Sequence, residues 1–125
     1  MRGIVHVSRR LLAAAAIVLA GTAAGNAAGA LAIGSCAAYG SAHDFSEAKA
    51  AQAAALKKCK GTCKVVATMR GGCAAYAVDI RDSCGPHGYA SAPTLGRAEN
   101  AALRYCYKYG GRDCVVRAFV CDGSS

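Results

Sequence analysis

SEAKAAQAAALKKCKGTCKVVA, residues 46–67, is answered later in the chain by TLGRAENAALRYCYKYGGRDCVVRA, residues 94–118. Both stretches read as an alanine-rich segment of helical period, a cysteine, a short turn, a second cysteine and a β-branched run. In the first helix Ala48, Ala51, Ala55 and Cys59 fall on one face, with Leu56 beside them. Asp44 or Ser46 is placed to cap its start, and Glu47 suits the positive end of its dipole. Lys57, Lys58 and Lys60 crowd the other end, where Gly61 can stop it. In the second helix Thr94 caps after Pro93, Ala98, Ala101, Ala102 and Tyr105 form the apolar stripe, and Gly110-Gly111 ends it.

Working outward, Cys36-Ala37-Ala38-Tyr39 ahead of the first stretch recurs as Cys73-Ala74-Ala75-Tyr76 ahead of the second. Strands are expected at Val65–Met69, Ala74–Ile80 and Val115–Val120, with a turn at Cys84-Gly85-Pro86-His87-Gly88 and a short strand at Tyr89-Ala90-Ser91. A helix whose buried face is alanine must lie close to what it covers, and a flat sheet is its natural partner. The expected class is α+β: two β-β-α-β repeats, about residues 31–72 and 73–122, with both helices packed on one mainly antiparallel sheet.

The N-terminus has a different character. Arg2, Arg9 and Arg10 precede the uncharged run LLAAAAIVLA (residues 11–20), and a Gly/Ala-rich stretch with small-x-small sites such as Ala28-Gly29-Ala30 follows. That order predicts a signal peptide over residues 1–30, cleaved near Ala30, and a single domain over residues 31–125. A transmembrane anchor is not expected, because alanine and glycine hold a helix in lipid too weakly. A lipid anchor at Cys36 is a lesser alternative. Ile33-Gly34-Ser35-Cys36 resembles a lipobox, but it lies far beyond the apolar run and its use would leave an odd cysteine count.

All 8 cysteines fall in the expected mature part, where twelve Lys/Arg face seven Asp/Glu for a net charge of +5. A domain this small has a marginal core, and disulfides at about 2–4 kcal/mol each make up the shortfall. Export and cysteine density agree.

The helix ending A-L-x-x-C, a short glycine-bearing turn and then C-K-V-V resembles the domain of unknown function (DUF) family 4189, a family of exported bacterial proteins. The matching residues are Ala55-Leu56-Lys57-Lys58-Cys59 with Cys63-Lys64-Val65-Val66, and Ala102-Leu103-Arg104-Tyr105-Cys106 with Cys114-Val115-Val116. Cys73-Ala74-Ala75-Tyr76-Ala77-Val78 is similar to the family's segment between repeats. The resemblance covers nearly all of residues 31–122. It implies export and the two-unit fold, and it assigns no activity. The chain departs from the family in a shorter first hairpin, residues 31–45, and in Cys36 and Cys84, which look like extra positions.

Eight cysteines allow 105 pairings, among which spacing alone does not choose. The repeat suggests Cys59 with Cys63 and Cys106 with Cys114. Cys73 and Cys121, at the ends of the units, would then lock one unit to the other, leaving Cys36 for Cys84. No C-x-x-C is present, so neither a zinc site nor any other metal or cofactor is expected.

The chemistry-bearing residues do not assemble into a catalytic set. His43 precedes a helix cap and His87 sits in a Gly-Pro turn, which places both on surface loops. The densest mixture of aromatic and cationic residues is Arg104 to Arg112, where Tyr105 is expected to face the core and Tyr107, Lys108 and Arg112 are left for a partner. The expected function is an exported, non-enzymatic, monomeric interaction module, secreted or held in the periplasm or cell envelope. Its partner would be a protein or an anionic envelope or host surface, and not nucleic acid. The alternative is a small secreted hydrolase or nuclease using His43 or His87.

Overall fold

The computed structural model of the protein describes residues 27–122. Strand β1 (Ala28–Ile33) shows how its layers are built. Ala28, Ala30 and Ala32 pack with Ala42, Ala51 and Ala55, whereas Leu31 and Ile33 pack with Tyr76, Val78 and Val120. Successive side chains of a strand point to opposite faces, so β1 offers small residues to a helix on one side and large ones to a second sheet on the other. Strand β4 (Gly72–Asp79) divides in the same way. Its Cys73, Ala75 and Ala77 meet Ala98 and Ala102, and its Ala74, Tyr76 and Val78 enter the core shared with Leu31.

The remaining elements are β2 (Tyr39–Phe45), α1 (Ala48–Lys58), β3 (Lys64–Met69), β5 (His87–Ala92), α2 (Leu95–Lys108) and β6 (Cys114–Asp122). The class is α+β, and each half of the chain runs β-β-α-β. The expectation of one sheet needs correcting: the strands form two antiparallel three-stranded sheets, in the orders β2-β1-β3 and β5-β4-β6. In a single sheet with both helices on one face, Leu31, Ile33, Tyr76 and Val78 would all lie on the bare face. Folding one sheet over the other buries them. The reversal occurs at the turn between β3 and β4, where Gly71 and Gly72 have φ of +81° and +138°. There the Asp122 carboxylate accepts the N–H of Gly71 at 2.8 Å.

The helices of the two halves are seated alike. Gly40 of β2 lies under α1 where a Cβ would collide with the Ala55 carbonyl and the Cys59 amide. Gly88 of β5 lies under α2 against the Ala102 carbonyl and the Cys106 amide. Each helix therefore rests almost backbone to backbone on its sheet, which is why its buried face is Ala51 and Ala55, or Ala98 and Ala102.

Four disulfides join Cys59–Cys63, Cys106–Cys114, Cys73–Cys121 and Cys36–Cys84. The first two tie each helix end to the strand that follows. Cys73 and Cys121 are register partners on β4 and β6, so their bond lies within the second unit and does not lock the units together. Cys36–Cys84 does that, because it joins the β1–β2 turn to the β4–β5 turn. The two Cys-Ala-Ala-Tyr segments are not counterparts: residues 36–38 form a turn, with Cys36 and Ala37 at φ +53° and +69°, whereas Cys73–Tyr76 is strand β4.

Some local expectations also change. The N-cap of α1 is Glu47, with no side-chain cap bond, where Asp44 or Ser46 was expected. Thr94 does cap α2, accepting the N–H of Arg97. Leu56 and Tyr105 are exposed, because Cys59 and Cys106 take the inward positions beside them. Most of the expected signal, residues 1–26, lies outside the described residues. Ala28 and Ala30, placed in that signal by the sequence, are fully buried in β1, so the folded domain begins by Ala28.

Candidate functional site

Among the described residues strand β5 is an edge strand, paired only with β4. Ladder bonds alternate along an antiparallel pair, and the bond from the Asp79 N–H to the Pro86 carbonyl marks residues 79 and 86 as a bonded pair. Counting along the register, Gly88, Ala90 and Ala92 direct their peptide groups to β4, while His87, Tyr89 and Ser91 direct theirs outward. The other three edge strands are interrupted. The β1–β2 register shifts beside Asp44 (φ +64°), β3 carries an extra residue at Val66, and β6 carries one at Arg117. Only the β4–β5 register runs without a break.

A groove of about 870 Å³ lies along this edge. Val66, His87 and Tyr89 line one side, and Tyr105 and Tyr109 of the α2 flank line the other. The two α2 tyrosines stand one helical turn apart with rings 6.3 Å apart and nearly parallel. The Lys108 ammonium lies 6.0 Å from the Tyr105 ring. At Ser91 the groove adjoins a second depression lined by Arg97 and Arg104. Positions 97, 101, 104, 105 and 108 share one helix flank, so the groove wall is aromatic at one end and cationic at the other.

The His87 imidazole donates from Nδ1 to the Gly85 carbonyl at 3.1 Å and meets the Tyr76 ring edge-on at 6.0 Å. Burial pushes the Tyr76 phenol up from its ordinary value, with Arg117 opposing the shift.

The first unit has a cleft at the corresponding place, lined by Tyr39, Ser41 and Arg117. There the Arg117 guanidinium lies 5.0 Å from the Tyr39 ring, and its Nε donates to the Ala37 carbonyl at 3.1 Å. Val66 is the counterpart of Arg117 and is too short to fill the groove beside β5.

Cysteine-paired helix ends and two β-β-α-β units are thus the scaffold beneath the groove. The family model described as a domain of unknown function (DUF4189) matches residues 28–121, starting where β1 starts. The chain belongs to the DUF4189 family. Neither a curated protein nor a solved structure matches it.

In this DUF4189 domain the residues expected at a binding surface do not converge. The Tyr107 hydroxyl is held by Cys114, accepting its N–H at 3.1 Å and donating to its carbonyl. Arg112 gives its backbone N–H to the buried Asp79 carboxylate, which also accepts from Arg81. These N–H groups, Arg112 first, hold the Asp79 carboxyl below its ordinary value of 3.8. Of the three, Lys108 alone stands beside the groove.

His43 lies on β2, hydrogen-bonded to Asp44 at 3.1 Å, and both are exposed. It lines none of the clefts described, and His87 stands apart from it in the other unit. Among the described residues no three His, Cys, Asp or Glu side chains gather as metal ligands, and no helix is long and apolar enough to cross a membrane.

Sequence reasoning missed Tyr89, Tyr105, Tyr109, Arg97 and Arg104. Tyr105 was set to the core by helical period, yet it belongs to the rim. The available signal was that Cys106, as a staple cysteine, had already claimed the inward position.

Proposed function

We propose that this protein is an exported binding module and that the groove along β5 is its site. One observation carries the reading: three exposed tyrosines, Tyr89, Tyr105 and Tyr109, converge on an open groove bounded by an unpaired strand edge. Rigid aromatic side chains supply large contact area at low entropic cost, which is how recognition surfaces are commonly built. Four disulfides hold the groove walls in place before a ligand arrives, and preorganisation lowers the cost of binding.

Export fits the same picture. Four disulfides belong to an oxidising compartment, and the N-terminal segment has the order of a signal peptide. We place removal of that segment ahead of Ala28, because cutting after Ala30 would shorten the central strand β1. A lipid anchor on Cys36 is disfavoured twice: its sulfur is bonded to Cys84, and lipobox cleavage would remove β1 altogether.

The hydrolase reading keeps one foothold, the presence of His87 in the groove. Its partner there is a backbone carbonyl, which orients the ring without supplying a carboxylate.

The test is to titrate the oxidised, isotope-labelled protein with a panel of short peptides, neutral and sulfated oligosaccharides and anionic vesicles, following amide shifts. Ligands of the groove should move the amides of Tyr89, Ser91, Tyr105 and Tyr109, and Tyr105→Ala with Tyr109→Ala should weaken them at least tenfold. Binding confined to the cleft lined by Tyr39, Ser41 and Arg117, or turnover of any panel member abolished by His87→Ala, would overturn the reading.

A further inference from the structure

Proteins usually protect edge strands with bulges, charges or proline, because an unpaired row of N–H and C=O groups invites another strand. Three of the four edges here carry a bulge, and β5 carries none. Its six residues, His87-Gly88-Tyr89-Ala90-Ser91-Ala92, include no Lys, Arg, Asp or Glu, and prolines stand only just outside it, at 86 and 93. The outward peptide groups of His87, Tyr89 and Ser91 therefore form a flat template one strand long, open along the floor of the groove.

The wall beside that template fixes the chemistry of what it takes. Arg97 and Arg104 flank the Ser91 end and Lys108 lies over the Tyr105 ring, with no carboxylate in ion-pair distance of any of them among the described residues. Tyr105 and Tyr109 flank the other end. A second copy of this chain is a poor occupant, because pairing two copies would bring together two domains that each carry a net charge of +5. Negative charge is complementary at one end, apolar or aromatic surface at the other, and an extended backbone between them.

We infer that β5 takes up an extended, acidic peptide segment of another protein as an added strand, with its carboxylates at Arg97 and Arg104 and its larger side chains against Tyr89, Tyr105 and Tyr109. This rests on the groove being the binding site and names the class of its ligand. Main-chain hydrogen bonds to the three outward residues give such a complex its affinity, and the flank gives it its preference for acidic sequences.

The experiment uses the intact oxidised protein and four synthetic decapeptides, with binding read by fluorescence anisotropy and amide hydrogen exchange. One alternates glutamate with valine and tyrosine. A second replaces glutamate by lysine. The third and fourth are the acidic sequence N-methylated on one or the other alternate set of amides. A strand presents only one set of amides to its neighbour. One methylated form should therefore bind at least tenfold more weakly than the parent while the other binds like it, and the parent should protect the amides of His87, Tyr89 and Ser91 from exchange. The lysine peptide should not bind, and Arg97→Gln with Arg104→Gln should weaken the acidic peptide at least tenfold.

Equal binding of both methylated forms, or no binding of the acidic peptide, overturns strand addition. If sulfated oligosaccharides still move Tyr89, Tyr105 and Tyr109 in that case, the groove survives as the site with a different ligand. If no probe reaches the groove, both readings fall. Concentration-dependent protection of the same amides without peptide, with a dimer in sedimentation, also overturns the proposal in favour of a second copy.

Discussion

Val66 and Arg117 hold the same bulge position in the two units, each the extra residue opposite the central strand of its sheet, between Leu31 and Ala32 in one case and Tyr76 and Ala77 in the other. The arginine reaches across its cleft to the Tyr39 ring and the Ala37 carbonyl, and the valine leaves the equivalent space open beside β5. The two halves thus carry a cleft of about 410 Å³ crossed by an arginine and a groove of about 870 Å³ edged by a valine. Val66→Arg should occupy the groove and reduce binding there at least tenfold in an anisotropy titration, with little change in melting temperature. Arg117→Ala should cost about 0.5–1 kcal/mol in denaturant unfolding, the size of an exposed cation–π contact.

The glycines beneath the helices lead to the sharpest stability prediction. A Cβ at Gly40 or Gly88 meets helix backbone that cannot step aside, so Gly40→Ala and Gly88→Ala should each destabilise by about 1–3 kcal/mol or more. Gly96 faces open space in the first turn of α2, and Gly96→Ala should instead stabilise by up to about 1 kcal/mol. Ala55→Leu and Ala102→Leu should resemble the first pair, whereas the exposed Lys57→Leu should be nearly neutral. Urea midpoints across this set decide the matter; a tolerated Gly88→Ala would mean the helix is not seated as described.

The staples should differ in worth with the length of chain they close. Cys36–Cys84 and Cys73–Cys121 each span 48 positions, against 4 for Cys59–Cys63 and 8 for Cys106–Cys114. Loop-closure entropy puts the long ones at about 4 kcal/mol and the shortest at about 2 kcal/mol. Replacing Cys36 and Cys84 together by serine should therefore lower the unfolding free energy more than replacing Cys59 and Cys63 together. Calorimetry of the two double variants tests the order.

Acid should loosen the end of α2. The folded Asp79 carboxyl titrates below its ordinary 3.8, so its contribution to stability is complete above that pH and is lost as pH falls through the folded value. Thermal unfolding of the wild type should weaken below about pH 4 more steeply than that of Asp79→Asn. Identical profiles would show that the bonds from Arg112 and Arg81 do not hold the loop.

Whether the N-terminus is removed on export is open to direct measurement. Intact mass of protein recovered from the export compartment should place the first residue at or before Ala28, and a chain begun at Leu31 should unfold at markedly lower temperature. β1 is the middle strand of its sheet, and losing Ala28 and Ala30 strips the seat of α1.

Much of the scaffold was legible before any coordinates. Alanines at helical spacing, cysteines closing each helix and β-branched runs after them are local patterns, and local patterns survive in one dimension. Hence α1, α2, β3 and β6 could be read from residues 46–67 and 94–118, and the two β-β-α-β units with them. Strand β1 was hidden because its alternation of alanine with leucine and isoleucine follows directly on a Gly/Ala-rich stretch and reads as its continuation. The matching Cys-Ala-Ala-Tyr segments misled for a related reason: four identical residues lie in a turn in one place and a strand in the other, and only pairing partners distinguish them.

What the sequence determined by itself was the set of elements and the chemistry that staples them, because helix period, turn residues and cysteine spacing act between neighbours in the chain. What the tertiary structure decided was everything that depends on two faces meeting. The strands divided into two sheets because Leu31, Ile33, Tyr76 and Val78 needed a common interior. The groove arose because an unbulged edge strand, an α2 flank bearing Tyr105 and Tyr109, and Val66 from the opposite sheet came together. Those residues are up to 43 positions apart, from Val66 to Tyr109, and no local rule links them. Burial of large apolar side chains is non-directional and acts across the whole chain, so it sets which surfaces meet only once the units have folded together.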